Sequence, residues 1–299
     1  MKITFNGQAV DNSILPPLTE IFKKYPEFKI YHAPFTFLYN GDEVEVQNTF
    51  VQVSGTRSGD KKVFAVLDTS PINKGSFGSI YAVIHTLRYN KYTLTDGSEE
   101  THHKTSYYQY FPDNMICKLQ FQYFDMVRYE HKSSTQFPHL KTHRRLIHQI
   151  KATNEGILDI YALLLKRQPG VDLYEFICAE DEELRVHNLS AIQLARLSCR
   201  IIEAVIKQVH HFGYVHRDLK NENIMVEYDK NIDDFNINII DFAFVAQQGK
   251  RPSFGHGTKE LMPNELLDKK GRMIRNPIAD YSHDVFSLAV VFKVLWSDL

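Results

Sequence analysis

The chain has 299 residues, 43% hydrophobic and 24% charged, with a formal net charge of −1. This is the composition of an ordinary soluble globular protein able to bury a sizeable core, and the absence of a basic excess argues against a nucleic-acid-binding role. Cys117, Cys178 and Cys199 form no CxxC pair, which speaks against a zinc site or a disulfide framework and fits a reducing, cytoplasmic compartment.

The N-terminus carries no apolar signal core. The longest apolar run, 285–296, contains Lys293 and is too short to cross a bilayer, so no membrane span is expected. The adjacent pairs His102-His103 and His210-His211 diverge on a strand or a helix, so histidine is not expected to build a metal site.

Residues 1–60 mix short β-like runs at 35–39 and 44–46 with turn signals at Asn40-Gly41 and Ser58-Gly59-Asp60. They read as an N-terminal extension or accessory β-rich segment. Next comes strand, glycine-rich turn, strand over 63–67, 74–78 and 80–84. The polar stretch 89–106 reads as a long exposed loop, followed by a strand at 115–119. Residues 122–152 are mainly helical in character with a break near Pro138, and 157–166 reads as one or two strands. An amphipathic helix is predicted over 190–211, with Ser190 as N-cap and Gly213 as its stop. Its apolar stripe is Ile192, Ala195, Leu197, Ile201, Ile202, Val205 and Val209. Strands follow at 224–226 and 237–240, then a last helix over 282–296. Strands first and helices later predict an α+β, two-lobed fold.

The most specific motif is His216-Arg217-Asp218-Leu219-Lys220-Asn221-Glu222-Asn223, an acid and an amide five residues apart with a lysine between them. It resembles H-R-D-x-x-x-x-N, the catalytic loop of protein kinases. Other segments fall in that family's order. Asn73-Lys74-Gly75-Ser76-Phe77-Gly78-Ser79-Ile80 resembles the glycine-rich loop, with Asn73 in place of the first glycine; alone it reads rather as a hairpin turn. Ile116-Cys117-Lys118 resembles the V-A-I-K strand. Ile239-Ile240-Asp241-Phe242-Ala243 resembles the D-F-G element, with Ala243 for glycine. Gly257-Thr258 and Met262-Pro263-Asn264-Glu265 resemble the end of the activation segment, and 281–289 resembles the helix carrying a structural aspartate. The chain is thus similar to the eukaryotic-type protein kinase family from about residue 62 to 297. Lys220 is of the serine/threonine type. The divergent loop and composition suggest a bacterial effector acting in a host cytosol, or a large-virus kinase.

The resemblance implies an ATP-dependent serine/threonine protein kinase using Mg²⁺ on a protein substrate. Its N-lobe would span 61–168 and its C-lobe 169–299. In that reading Asp218 accepts the substrate proton, Lys220 stabilises the transferring phosphoryl group, and Asn223 and Asp241 hold magnesium. Lys118 holds the phosphates and pairs with Glu130, with Glu155 as the alternative partner. The loop residues Asn73, Gly75, Ser76, Phe77 and Gly78 cover the phosphates. Ile80 and Cys117 above and Met225 below enclose the adenine, Leu165 is the gatekeeper, and Asp172 bonds the ribose or simply caps a helix. Phe242 is expected beneath the Glu130 helix. Asp284 is expected to bond the loop backbone near His216, and Glu265 to form a buried ion pair with Arg272 or Arg275. Thr258 is given a structural role, with Ser253 as the autophosphorylation candidate. The chain stops soon after the Asp284 helix, so a shortened C-lobe is expected to expose Leu288, Val291 and Leu295. A regulatory partner, self-association or the first 60 residues would then cover them. The alternatives are a pseudokinase that docks a partner, or a kinase-fold enzyme phosphorylating a non-protein hydroxyl.

Overall fold

The computed structural model describes residues 2–3, 15–56, 58–75, 78–94, 100–111, 114–121, 124–143, 146–153, 156–178, 189–252, 255, 257–274 and 277–297. The chain forms two compact units, Met1–Phe124 with Thr142–Arg167, and Asp125–Lys141 with Gln168–Leu299. Among the described residues no helix is long and apolar enough to cross a membrane.

In chain order the first elements are β1 (Lys2–Ile3), α1 (Leu15–Lys24), β2 (Ile30–Tyr31), β3 (Phe35–Tyr39), β4 (Asp42–Val46), β5 (Phe50–Gly55), β6 (Lys61–Leu67), β7 (Asn73–Gly75), β8 (Gly78–Thr93), β9 (Thr101–Tyr107) and β10 (Met115–Phe121). Then α2 (Phe124–Ser134), which falls almost wholly in the second unit, precedes β11 (Ile147–Thr153) and β12 (Gly156–Lys166). The main sheet runs β11-β12-β10-β8-β6-β5-β2, with β7 and β9 also paired to β8.

The 16-residue β8 organises this unit. Its first half pairs with β7 and β10, its second half with β6 and β9. One sheet face buries Phe50, Phe64, Val66, Leu87 and Tyr89 against Leu18, Ile21 and Phe22 of α1. Phe22 stacks on Phe64 with ring centroids 4.2 Å apart. The opposite face buries Val51, Ala65, Leu67, Met115, Cys117, Leu119, Ile160, Ala162 and Leu164.

Three expectations change here. No boundary falls at residue 60, because β5 pairs with β6 from Phe50↔Val66 to Gly55↔Lys62. The stretch 89–106 is largely a hairpin, paired from Leu87↔Tyr107 to Thr93↔Thr101. Its polar residues alternate with inward ones, and buried Thr105 accepts a hydrogen bond from the Thr19 hydroxyl at 2.7 Å, so polarity did not signify a loop. The helical reading of 122–152 holds only over α2 and a short 3-10 turn at Pro138–Leu140; 147–153 is strand, paired along β12.

The second unit continues with β13 (Val171–Asp172), α3 (Leu173–Cys178), α4 (Ala191–Gln208), β14 (Tyr214–Val215), β15 (Ile224–Asp229), β16 (Asp234–Ile239), β17 (Ala246–Gln247) and α5 (Tyr281–Leu295). Ser190 caps α4 through a reciprocal pair with Gln193, and Leu194, Leu197, Ile201, Ala204 and Val205 are buried. Ile192 and Ile202, expected in the buried stripe, are 73% and 41% exposed. A larger inversion occurs in α5. Leu288, Val291 and Leu295 face inward with Asp284 and Ser287, at helical spacing, whereas Val285, Phe286 and Val294 are exposed. The expected exposed face is therefore the buried one, and covering it needs no partner. The indole N–H of Trp296 donates to the Ser198 hydroxyl at 3.1 Å, tying the end of α5 to α4.

This assignment has a direct stability consequence. Leu288→Ala should cost about 2–4 kcal/mol in chemical denaturation, while Val285→Ala should stay within about 0.5 kcal/mol of wild type. Equal losses would mean that the two faces of α5 are assigned the wrong way round.

Candidate active site

The segment 216–223 follows α4, a 3-10 turn and the short β14, which is zipped to β17 by Tyr214↔Gln247 and Val215↔Ala246. That pairing sets the loop beside the segment that follows Asp241. The loop backbone is then fixed by a single buried carboxylate. Asp284 Oδ2 accepts from the His216 N–H and Oδ1 from the Arg217 N–H, both at 2.8 Å. His210 Nε2 also lies 2.8 Å from Oδ2. The expected structural role of Asp284 is seen directly.

Asp218 is almost wholly buried. Its Oδ1 accepts from the Thr258 N–H at 2.7 Å and the Thr258 hydroxyl at 2.9 Å. The Asn223 Nδ2 donates to Asp218 O at 2.7 Å and to Oδ2 at 3.2 Å. Burial raises the pKa of the carboxyl; the nearby Lys220 ammonium, the Thr258 N–H and His216 oppose that rise. Thr258 thus has the supporting role expected of it. Gly257 is required by close approach, since a Cβ there would sit 2.0 Å from Asp218 Oδ1.

Asp241 follows β16 with φ of 59°, an uncommon value for a non-glycine residue. The His216 Nε2–H donates to Ile240 O at 3.0 Å, leaving Nδ1 to accept from the Asp218 N–H at 3.4 Å. Phe242 is buried against Phe137, His139 and His216, with ring centroids 4.2, 5.7 and 5.0 Å away. Phe137 lies just beyond α2, the helix that carries the buried Glu130.

Arg217 is held in the left-handed region, φ 69°. Its guanidinium donates to Phe244 O at 3.1 Å and Gly255 O at 2.9 Å. Burial pulls its pKa down to about 10. The expected Glu265 ion pair does not form with Arg272. Glu265 is exposed in a 3-10 turn that buries Leu266 instead, and Arg272 pairs with Asp268 at 2.8 Å. Arg275, Ser253 and Glu155 lie outside the described residues, as do Ser76 and Phe77 of the glycine-rich turn.

The second unit also carries Asp172 and Met225, directly opposite one another in the β13–β15 register. Asp172 Oδ1 accepts from the Glu175 N–H at 2.8 Å, so the helix-capping reading of this residue is realised. Lys220 is partly exposed.

In the first unit, β7 and β8 form the hairpin expected around 73–80, with Asn73 opposite Ile80 and Gly75 opposite Gly78. Gly78 admits no side chain: a Cβ would lie 2.0 Å from Leu119 O. Lys118, nearly buried, stands between Ile80 and Leu163 in register, and Ile116 stands opposite Leu165. Directly paired residues share a face. Ile80, Ile116, Lys118, Leu163 and Leu165 therefore line one side of the sheet. Cys117 points to the other side, fully buried with Met115 and Leu119, and burial raises its thiol pKa. Strand alternation thus speaks against Cys117 as a nucleotide contact and favours Ile116, a residue the sequence reading passed over. The signal was available in the two-residue period running back from Lys118.

Among the described residues no three His, Cys, Asp or Glu side chains gather as a metal-binding group. A carboxylate oxygen of Asp241, an amide oxygen and phosphate oxygens together would make a donor set that suits magnesium. The Asn223 amide fits that part, because its Nδ2 is spent on Asp218 and Oδ1 is the atom left to ligate.

The protein kinase domain family matches residues 68–298. Similar proteins include the maternal embryonic leucine zipper kinase of Danio rerio, 35% identical over 103 residues, 34% of this chain and 13% of that protein. The serine/threonine-protein kinase ksp1 of Schizosaccharomyces pombe is 27% identical over 127 residues, 42% of this chain and 26% of its own. The serine/threonine-protein kinase pkn3 of Myxococcus xanthus is 28% identical over 138 residues, 44% and 22% respectively. The matched stretches thus span no more than about a quarter of these relatives. The catalytic-type loop, the aspartate after β16 and the glycine hairpin all fall inside the matched span, and the chain belongs to the protein kinase domain family.

Proposed function

We propose that the chain transfers the γ-phosphoryl group of ATP to a serine or threonine hydroxyl of a protein substrate. The observation that carries this reading is the state of Asp218. Its carboxylate is immobilised by Thr258 and Asn223, on a loop whose backbone is clamped by Asp284. A fixed, buried carboxylate with a raised pKa is suited to orient a hydroxyl and accept its proton.

In this mechanism the substrate oxygen forms a bond to the γ-phosphorus as the bond to the β–γ bridging oxygen breaks. The hydroxyl proton passes to Asp218. Magnesium held by Asp241 and Asn223 would supply charge neutralisation on the phosphates. Lys220 offsets charge on the transferring group from the substrate side, and Lys118 holds the α- and β-phosphates with Glu130 as its partner. The work is positioning and electrostatics, with little covalent demand on the protein. Ile80, Ile116, Leu165 and Met225 are the apolar side chains assigned to adenine; Asp172 bonds the ribose with the oxygen not used in capping. Asn73, Gly75, Ser76, Phe77 and Gly78 cover the phosphates. The presence of Lys118, Asp218, Asn223 and Asp241 together supports a catalyst over a pseudokinase.

Asp218→Asn should lower γ-phosphoryl transfer by at least about 10²-fold and leave nucleotide affinity within about twofold, because Asp218 does not hold the nucleotide. Radiolabel transfer and fluorescent-nucleotide displacement measure the two; loss of nucleotide binding would sink the assigned role. Glu130→Ala should cut kcat/KM by about 10²-fold and Glu155→Ala by less than about threefold; the reverse order would move the lysine's partner to Glu155. Ile116→Asp should raise KM for ATP by about tenfold or more, while Cys117→Ala should lower the melting temperature with KM unchanged. An ATP effect confined to Cys117 would restore the discarded assignment.

A further inference from the structure

We propose that His139 and Gln208 are positioning residues for Asp241, acting as a side-chain substitute for a missing strand along the open edge of β16. The proposal rests on the reading of Asp241 as a magnesium ligand. Among the described residues β16 is the last strand of the sheet β13-β15-β16, and its outer backbone groups bond no strand there. Side chains take that place. The two ends of the Gln208 amide bridge alternate outward positions: Nε2 donates to Ile237 O at 2.7 Å, and Oε1 accepts from the Ile239 N–H at 2.9 Å. At the carbonyl of the same residue, the His139 Nε2–H donates to Ile239 O at 2.9 Å. The next residue is held by the catalytic loop, with the Ile240 N–H donating to Asn223 O and His216 donating to Ile240 O, both at 3.0 Å.

Two imidazoles thus hold successive carbonyls immediately before Asp241, and both rings lie against Phe242. Such redundancy has a physical purpose. A non-glycine residue at positive φ persists only where its surroundings over-determine it. Gln208 is the last residue of α4, and His139 sits in the turn after α2, itself anchored by the Gln168 amide donating to His139 O at 3.0 Å. The carboxylate after β16 is therefore aimed from the open edge of the strand by two elements, neither of which touches a reactant.

The test uses His139→Phe, which keeps a ring and loses the donor, His139→Asn, which keeps a donor, and Gln208→Met, which keeps the length. The full chain is titrated with Mg²⁺ at fixed fluorescent ATP analogue, and nucleotide binding, phosphoryl transfer and melting temperature are followed. His139→Phe and Gln208→Met should each raise the Mg²⁺ concentration for half-maximal nucleotide binding by about tenfold, with KM for the protein substrate unchanged and His139→Asn closer to wild type. Folded variants with a wild-type Mg²⁺ midpoint would overturn the proposal. So would a midpoint that tracks the melting temperature across all three without rescue by asparagine. Because binding is read directly, a wild-type chain that binds Mg²⁺-nucleotide without transferring phosphate would refute the assigned activity, whereas the positioning proposal stands or falls on the Mg²⁺ midpoints alone.

Discussion

The geometry of the candidate site depends on one buried carboxylate. Asp284 is wholly removed from solvent, which is costly for a charged group unless it is fully hydrogen-bonded. Two backbone N–H groups of consecutive loop residues and the His210 ring meet that requirement. The satisfaction is mutual: adjacent peptides whose N–H groups converge on one carboxylate cannot also follow an extended path. The turn is completed by Arg217 at positive φ. Once the backbone reverses there, the Arg217 side chain reaches Phe244 and Gly255, Asp218 enters its slot beside Gly257 and Thr258, and His216 is left pointing at Ile240. Each later contact presupposes the first.

Arg217 shows how the same economy reaches the segment after Asp241. Its guanidinium joins two carbonyls that lie eleven residues apart in sequence, so the backbone itself closes the segment. A phosphate introduced nearby would have to displace two charge-assisted hydrogen bonds before gaining its own. At Phe244 and Gly255 the partners of this guanidinium are peptide carbonyls.

Legibility in the sequence followed how local the cause was. The loop 216–223, the Ser190 cap and the Asp284 role were readable because short spacing and residue type fix their chemistry. The glycine hairpin was readable for the same reason. What failed were judgements about which face of an element turns inward. Leu288, Val291 and Leu295 were expected to be exposed because the chain was read as cut short, yet they occupy the inward positions of α5. Cys117 was expected at the adenine, yet strand alternation turns it to the face opposite Lys118. The 89–106 hairpin was hidden by polar side chains whose partners, such as Thr19, lie far away in sequence. Glu265 was given an arginine by family order, whereas Asp268, four residues from Arg272 and bonded to its backbone N–H, holds that arginine. His139 and Gln208 carry no motif at all; only the open edge of β16 gives them meaning.

The first unit obeys a comparable constraint. A 16-residue strand is long enough to serve two sets of neighbours, and β8 does so by passing from β7 and β10 to β6 and β9. The half near Gly78 presents Ile80 beside Ile116 and Lys118, while the far half would leave Leu87 and Tyr89 uncovered. Residues 15–55 remove that exposure, because α1 lays Leu18, Ile21 and Phe22 over Phe64, Leu87 and Tyr89, and β5 and β2 extend the sheet. The segment that looked like an appendage is thus the second layer of the core behind β8. A strand fixed along its whole length holds its first residues at a defined register, and the Gly78 approach to Leu119 O requires a fixed register.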